Sequence, residues 1–201
     1  MFNRPTYLNK LISFKDHELI KVITGIRRCG KSSLLMLFAE YLESVGINKD
    51  NILRINFEDL EYGNMTYLEL NDFIKDKLSS TEGKLYILLD EIQKIDKWEL
   101  AVNSLRLDSG TDIYITGSNA YMLSSQLSTY LSGRYVEIKM QPLTFKEFLE
   151  FYSKNVDMPR EAKFNAYLKY GGMPGLVLFN FNEELITQTL DGIFSTVLTK
   201  D

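Results

Sequence analysis

Two short stretches carry residue types that can do chemistry. The first, Gly25-Ile26-Arg27-Arg28-Cys29-Gly30-Lys31-Ser32, fits Gly-x4-Gly-Lys-Ser, a loop form whose backbone amides cradle phosphates. Its glycines permit backbone angles that a Cβ resists, and successive N–H groups turned inward make a nest for an anion. A helix starting at Lys31 adds the free amides of its first turn, through Ser33, and the positive end of its dipole. Lys31 then neutralises terminal phosphates, and the Ser32 hydroxyl suits Mg2+, a hard cation that takes oxygen ligands. The pattern arises by chance in roughly one chain of this length in a hundred.

The second stretch is Leu85-Tyr86-Ile87-Leu88-Leu89-Asp90-Glu91. Five apolar residues in a row make a strand buried on both faces, as in the middle of a parallel sheet. The two carboxylates at its end are therefore lifted to the rim where ligands bind in open α/β sheets. Asp90 alone fits an acidic helix cap equally well. Beside a phosphate loop, Asp90 is expected to hold the Mg2+ shell and Glu91 to polarise an attacking water. Gly117-Ser118-Asn119 taken alone is a turn. At the end of a strand near both loop and acids, its polar residues are candidates to touch a γ-phosphate or the water. Arg134 reads either as such a functional group or as a salt-bridged edge residue.

These residues need a scaffold, and the hydrophobic pattern supplies one. An apolar β-branched strand over 20–24 enters the loop, and a helix with Leu34, Leu35, Phe38, Tyr41, Leu42 and Val45 on one side leaves it, stopping near Gly46. A short helix over 7–14 precedes them, entered through Pro5. A strand over 51–57 leads to a helix over 66–78, where Thr66 and Glu69 form a capping-box signature. After the acid strand come a helix over about 98–107 with Trp98 packed inside, a strand over 112–116, a helix to about Leu131 and a fifth strand over 135–140. Helices over 145–152, 160–170 and from 183 onward follow, the last two separated by Gly171-Gly172-Met173-Pro174-Gly175. Five strand and helix units followed by helices describe a three-layer α/β domain over 1–141 with a small α-helical lid over 142–201. The final helix, 186–200, meets no glycine or proline stop, so a further domain is expected beyond Asp201.

The whole chain sets limits. Its 201 residues, 45% hydrophobic and 25% charged, suit one sizeable domain or one with a small appendage. The longest apolar run, 34–39, is far too short to span a membrane. No basic, apolar export signal opens the chain, so a cytoplasmic location is the default expectation. A net charge of −4 does not support a strongly electrostatic nucleic-acid binder. Cys29 is the only cysteine, so no internal disulfide can form; beside Lys31 at a helix start a thiolate is favoured, yet the position reads as loop filler. His17 is also alone and is no metal site.

Taken in order, Gly-Ile-Arg-Arg-Cys-Gly-Lys-Ser, Leu-Leu-Asp-Glu-Ile-Gln, Ile-Thr-Gly-Ser-Asn-Ala, Leu-Ser-Gly-Arg-Tyr and Tyr-Gly-Gly-Met-Pro resemble the AAA+ ATPases. The similarity is to a prokaryotic clade with an AAA-type N-terminal domain and a C-terminal domain of uncharacterised function. The resemblance implies a five-stranded parallel sheet of order 5-1-4-3-2. It implies a Walker B pair in Asp90 and Glu91, and a polar sensor in Asn119 or Ser118. Arg134 resembles an arginine finger that reaches a neighbouring subunit, which implies a homo-oligomer. Gly171 to Pro174 is similar to the Gly-x-Pro turn of signalling NTPases, in which the proline packs on adenine. The activity implied is Mg2+-dependent ATP hydrolysis, slow in an isolated monomer. An alternative is a nucleotide-gated switch that cycles between ATP and ADP, controlling a protein partner or the C-terminal domain with little turnover. There is no Asn-Lys-x-Asp guanine signature, and no counterpart of the pore-loop aromatics, so substrate threading is disfavoured.

Overall fold

Strand β1 (Ile20–Thr24) is buried along its whole length, as its β-branched run requires for a central strand. A computed structural model describes residues 3–117, 131–153, 158–179 and 182–200. The other strands are β2 (Ile52–Asn56), β3 (Leu85–Asp90), β4 (Thr111–Gly117) and β5 (Tyr135–Lys139). All pairings are parallel, in the order β2-β3-β4-β1-β5. This is the order the family resemblance implies, with β4 between the loop strand and the acid strand.

Helices α1 (Pro5–Ser13), α2 (Lys31–Ser44), α3 (Tyr67–Ser79) and α4 (Trp98–Leu105) cover this sheet. The period of two in the strands assigns the faces. Leu85, Ile87, Leu89, Ile113 and Ile115 join Leu70 and Ile74 of α3 and Trp98, Ala101, Val102 and Leu105 of α4 in one buried cluster. Tyr114 points the other way and meets Phe38 of α2, ring centroids 4.4 Å apart. Thr66 caps α3 in a complete capping box with Glu69. Trp98 opens α4 and is buried. Helix α2 ends at Ser44, and Gly46 follows at φ 90, the left-handed stop its position predicts.

The chain divides into two compact units. The first is made of 3–24 and 31–139, the second of 25–30 and 140 onward. The second holds α5 (Phe145–Ser153), α6 (Arg160–Tyr170), a short 3-10 helix (Pro174–Phe179) and α7 (Glu183–Lys200), the small helical lid of the fold. The 3-10 helix is not visible in the apolar pattern. The lid's core is Leu143, Phe148 and Tyr152, with Phe145, Phe151, Ala166 and Tyr167 against them. Its glycine turn is docked by close approach. Leu143 N–H donates to the Gly172 carbonyl at 2.7 Å, and a Cβ on Gly172 would collide with the Leu143 carbonyl oxygen.

Candidate functional site

Asp90 and Thr116 meet because of sheet register. Leu88 pairs with Tyr114 and Leu89 with Ile115, so the next step sets Asp90 beside Thr116, and period two turns both toward the α2 face. Thr116 Oγ1 donates to Asp90 Oδ1 at 2.5 Å and accepts from Glu91 N–H at 3.0 Å. Asp90 is 6% exposed, and among the described residues no hydrogen bond is made to its Oδ2.

Glu91 leaves the strand in the left-handed region, φ 56 and ψ 46, which a residue with a Cβ seldom occupies. Its carboxylate is engaged on both oxygens. Lys31 Nζ lies 3.8 Å from Oε1, and Gln93 Nε2 donates to Oε2 at 2.5 Å. Lys31 is 4% exposed, so its charge is read at short range by the few groups around it. The first unit therefore brings Lys31, Asp90 and Glu91 together at the carboxyl ends of the strands.

The loop 25–30 runs from β1 into α2 and is tightly wound. Gly25, Arg28 and Gly30 have φ 147, 65 and 102, and Cys29 N–H donates to the Ile26 carbonyl at 3.3 Å. A Cβ on Gly25 would strike the Met140 carbonyl oxygen and come within 3.0 Å of Cys29 Sγ, so the first glycine is required by space as well as by angle. Cys29 is fully buried, in keeping with a filling role. Ile26 and Arg28 are exposed and Arg27 is half-buried; Ser32 and Ser33 present exposed positions in the first turn of α2.

Arg134 lies elsewhere. It precedes β5, its carbonyl accepts from Ile20 N–H at 3.0 Å, and its exposed Nη1 donates to Asn103 Oδ1 at 3.1 Å. It thus stands at the amino edge of the sheet. The five residues of β1 rise about 17 Å before the loop begins, so Arg134 is distant from its own chain's acid pair. Pro174 opens the 3-10 helix of the second unit. Ser118 and Asn119 lie outside the described residues.

The amino edge holds a second polar centre. Lys21 and Asp112 form a fully buried ion pair. Lys21 Nζ also donates to the His17 carbonyl at 2.6 Å, while Asp112 Oδ2 accepts from Asp16 N–H at 2.8 Å and from the Tyr114 hydroxyl at 3.0 Å. Burial pulls the Lys21 ammonium below the ordinary lysine value, opposed by Asp112, and burial with the Asp112 charge pushes the Tyr114 hydroxyl up. Burial would also raise Asp16. Hydrogen bonds from Lys15, Tyr86 and Lys84 outweigh it and hold that carboxyl at about 2. Every carboxylate here is matched to a fold partner, which marks the cluster as structural. His17 beside it is exposed; among the described residues no three His, Cys, Asp or Glu side chains gather as a metal nest.

The model of an AAA domain family matches residues 17–149. A Haemophilus influenzae protein of uncharacterised function is 47% identical over 207 residues, covering 100% of this chain and 50% of that protein. A Methanocaldococcus jannaschii protein, also uncharacterised, is 39% identical over 189 residues, covering 87% of this chain and 41% of its own length. The chain thus spans half or less of these relatives. Among solved structures, a Walker-type ATPase of Pyrococcus abyssi superposes with a TM-score of 0.63 at 20% identity, over 98% of this chain and 72% of that one. An AMPPCP-bound DnaA from Aquifex aeolicus gives 0.56 at 16% identity, over 96% and 61%. At such identities these two likenesses speak for the fold. No helix among the described residues is long and apolar enough to cross a membrane.

Proposed function

The chain belongs to the AAA domain family of phosphate-loop ATPases, and from that membership we propose that it binds ATP with Mg2+ and hydrolyses it. One observation carries the reading: Lys31, directly after the Gly25–Gly30 loop, converges with Asp90 and Glu91 on the carboxyl rim of a parallel sheet. The amides of 25–33 receive the phosphates, and Lys31 neutralises their terminal charge. Asp90 and the Ser32 hydroxyl fit Mg2+ by donor type. Both are hard oxygens, and an ion that keeps several waters asks for only one or two protein ligands. When bound, the ion neutralises charge that develops on the phosphate oxygens. Glu91 orients the attacking water, with Asn119 or Ser118 as the polar partner, and Pro174 packs on adenine.

Arg134 completes a neighbouring copy's site. Its position at the amino edge of the sheet supports action in trans, which makes hydrolysis dependent on assembly. The test is ATP binding by calorimetry and phosphate release in the same samples, at several protein concentrations, for wild type and Lys31→Ala. Wild type is expected to bind ATP and to turn over faster per chain as concentration rises. Lys31→Ala is expected to lose binding by about 10- to 100-fold, the range for a lost charged hydrogen bond. Equal binding by both proteins would refute the site.

A second reading is a nucleotide-gated switch with little turnover, controlling a partner or further domain. Glu91 supports it, because Lys31 and Gln93 engage both of its oxygens and a carboxylate so engaged is withheld from an attacking water. Tightly held ADP after purification, with negligible turnover at every concentration, would select this reading over the first.

A further inference from the structure

Thr116 lies within the Ile-Thr-Gly-Ser-Asn-Ala stretch, where the expected polar groups are Ser118 and Asn119 and the threonine is given no role. It is fully buried, and its single hydroxyl is used twice, toward Asp90 Oδ1 at 2.5 Å and Glu91 N–H at 3.0 Å. The polarity of the two bonds is forced. A hydroxyl has one proton, an amide N–H can only donate, and a carboxylate only accepts. The proton therefore goes to Asp90 and a lone pair faces Glu91.

The two bonds act on adjacent residues by different routes. The first fixes the rotation of the Asp90 carboxylate and occupies Oδ1, so Oδ2 is the oxygen left for a hard cation or its water. The second holds the Glu91 amide, and with it the left-handed backbone at φ 56 that directs the side chain to within 3.8 Å of Lys31. A buried hydroxyl is costly unless both roles are satisfied, and here both partners come from the neighbouring strand's acid pair.

We propose that Thr116 is a positioning residue, a hydroxyl clamp that sets the metal-side oxygen of Asp90 and the backbone of Glu91 together. The inference rests on reading Asp90 and Glu91 as residues of a Mg2+·ATP site. It acts through the Asp90 carboxylate and the Glu91 backbone and separates metal handling from phosphate binding, since Lys31 and the loop need no hydroxyl from β4.

The experiment is ATP binding by calorimetry across a Mg2+ titration and in EDTA, with thermal melting of each protein. Thr116→Val keeps the branched shape and removes the hydroxyl. The expected result is an EDTA affinity equal to wild type and a Mg2+ midpoint raised about tenfold, with Thr116→Ser returning within about threefold of wild type. Thr116→Ala carries the same expectation and serves if valine lowers the melting temperature. An unchanged Mg2+ midpoint in the valine and alanine variants, or a serine variant as impaired as valine, overturns the clamp. A loss of ATP affinity in EDTA equal to that in Mg2+ also overturns it, since that marks a general packing role. Lys31→Ala run alongside separates the two claims: if it binds ATP like wild type, the nucleotide site itself is wrong, whereas its loss beside an unaltered Thr116→Val removes only the clamp.

Discussion

Lys31 Nζ and Glu91 Oε1 stand 3.8 Å apart, so the phosphate-binding cation and the water-orienting carboxylate of the proposed site attract each other. Glu91→Gln removes that attraction and keeps the side chain's size. Lys31 is then freer for phosphate, and ATP affinity is expected to hold or rise. Phosphate release is expected to fall by about 10² to 10⁴, the usual contribution of a positioned base. Turnover at the wild-type rate in single-turnover assays would take the water-orienting role away from Glu91.

Arg134 sits at the amino edge of the sheet, about a strand's length from its own acid pair. Arg134→Ala is expected to leave ATP affinity unchanged and to abolish the concentration-dependent part of hydrolysis, a loss of order 10³ or more for an arginine acting in trans. Mixing it with Glu91→Gln should restore turnover, because each variant supplies what the other lacks. Failure of the mixture to exceed either variant alone would count against a shared site.

Asp16 gives a pH signature. Its folded-state carboxyl is held at about 2, below the unfolded value near 3.9. A depressed carboxyl stabilises the fold in full above the unfolded value, and the contribution drains as pH falls from about 4 to about 2. Wild type should therefore melt above Asp16→Asn at pH 5 to 7, with the gap closing by about pH 2. A gap independent of pH over that window would show that the Lys15, Tyr86 and Lys84 contacts do not act through the carboxylate charge.

The glycine turn of the lid can be checked against Gly175, in the 3-10 helix that follows it. Gly172→Ala drives a methyl into the Leu143 carbonyl, whereas nothing lies within 4 Å of a Cβ on Gly175. Overpacking of this kind costs about 1 to 3 kcal/mol. Gly172→Ala is expected to speed hydrogen exchange over α5 and α6, with Gly175→Ala near wild type. Equal protection in both variants would remove the close-approach argument.

Local pattern and long-range register divide what the sequence can disclose. Asp90 and Glu91 stand out because a strand buried on both faces must be apolar until it reaches the rim, where the first carboxylates appear. Thr66 and Glu69 are readable because a capping box is written within four residues. Thr144 and Glu147 repeat that pattern at the start of α5, where the Thr144 N–H donates to Glu147 Oε2 at 2.9 Å. Thr116 is different. Its partners lie 25 and 26 positions away, and only the pairing of β3 with β4 shows that this threonine, among ordinary strand residues, faces the acids. Lys21 and Asp112, 91 positions apart, are hidden for the same reason, since a lysine inside an apolar strand gives no sign of what neutralises it. Asn119 and Ser118 remain expectations of the motif.

Cys29 is the chain's only thiol and is sealed from solvent within the phosphate loop. Every other position is silent to maleimides and disulfide reagents. The native protein therefore carries its own reporter: the rate at which such a reagent modifies it counts the loop's excursions, and a ligand that rests on those amides slows the count without any label having been engineered in.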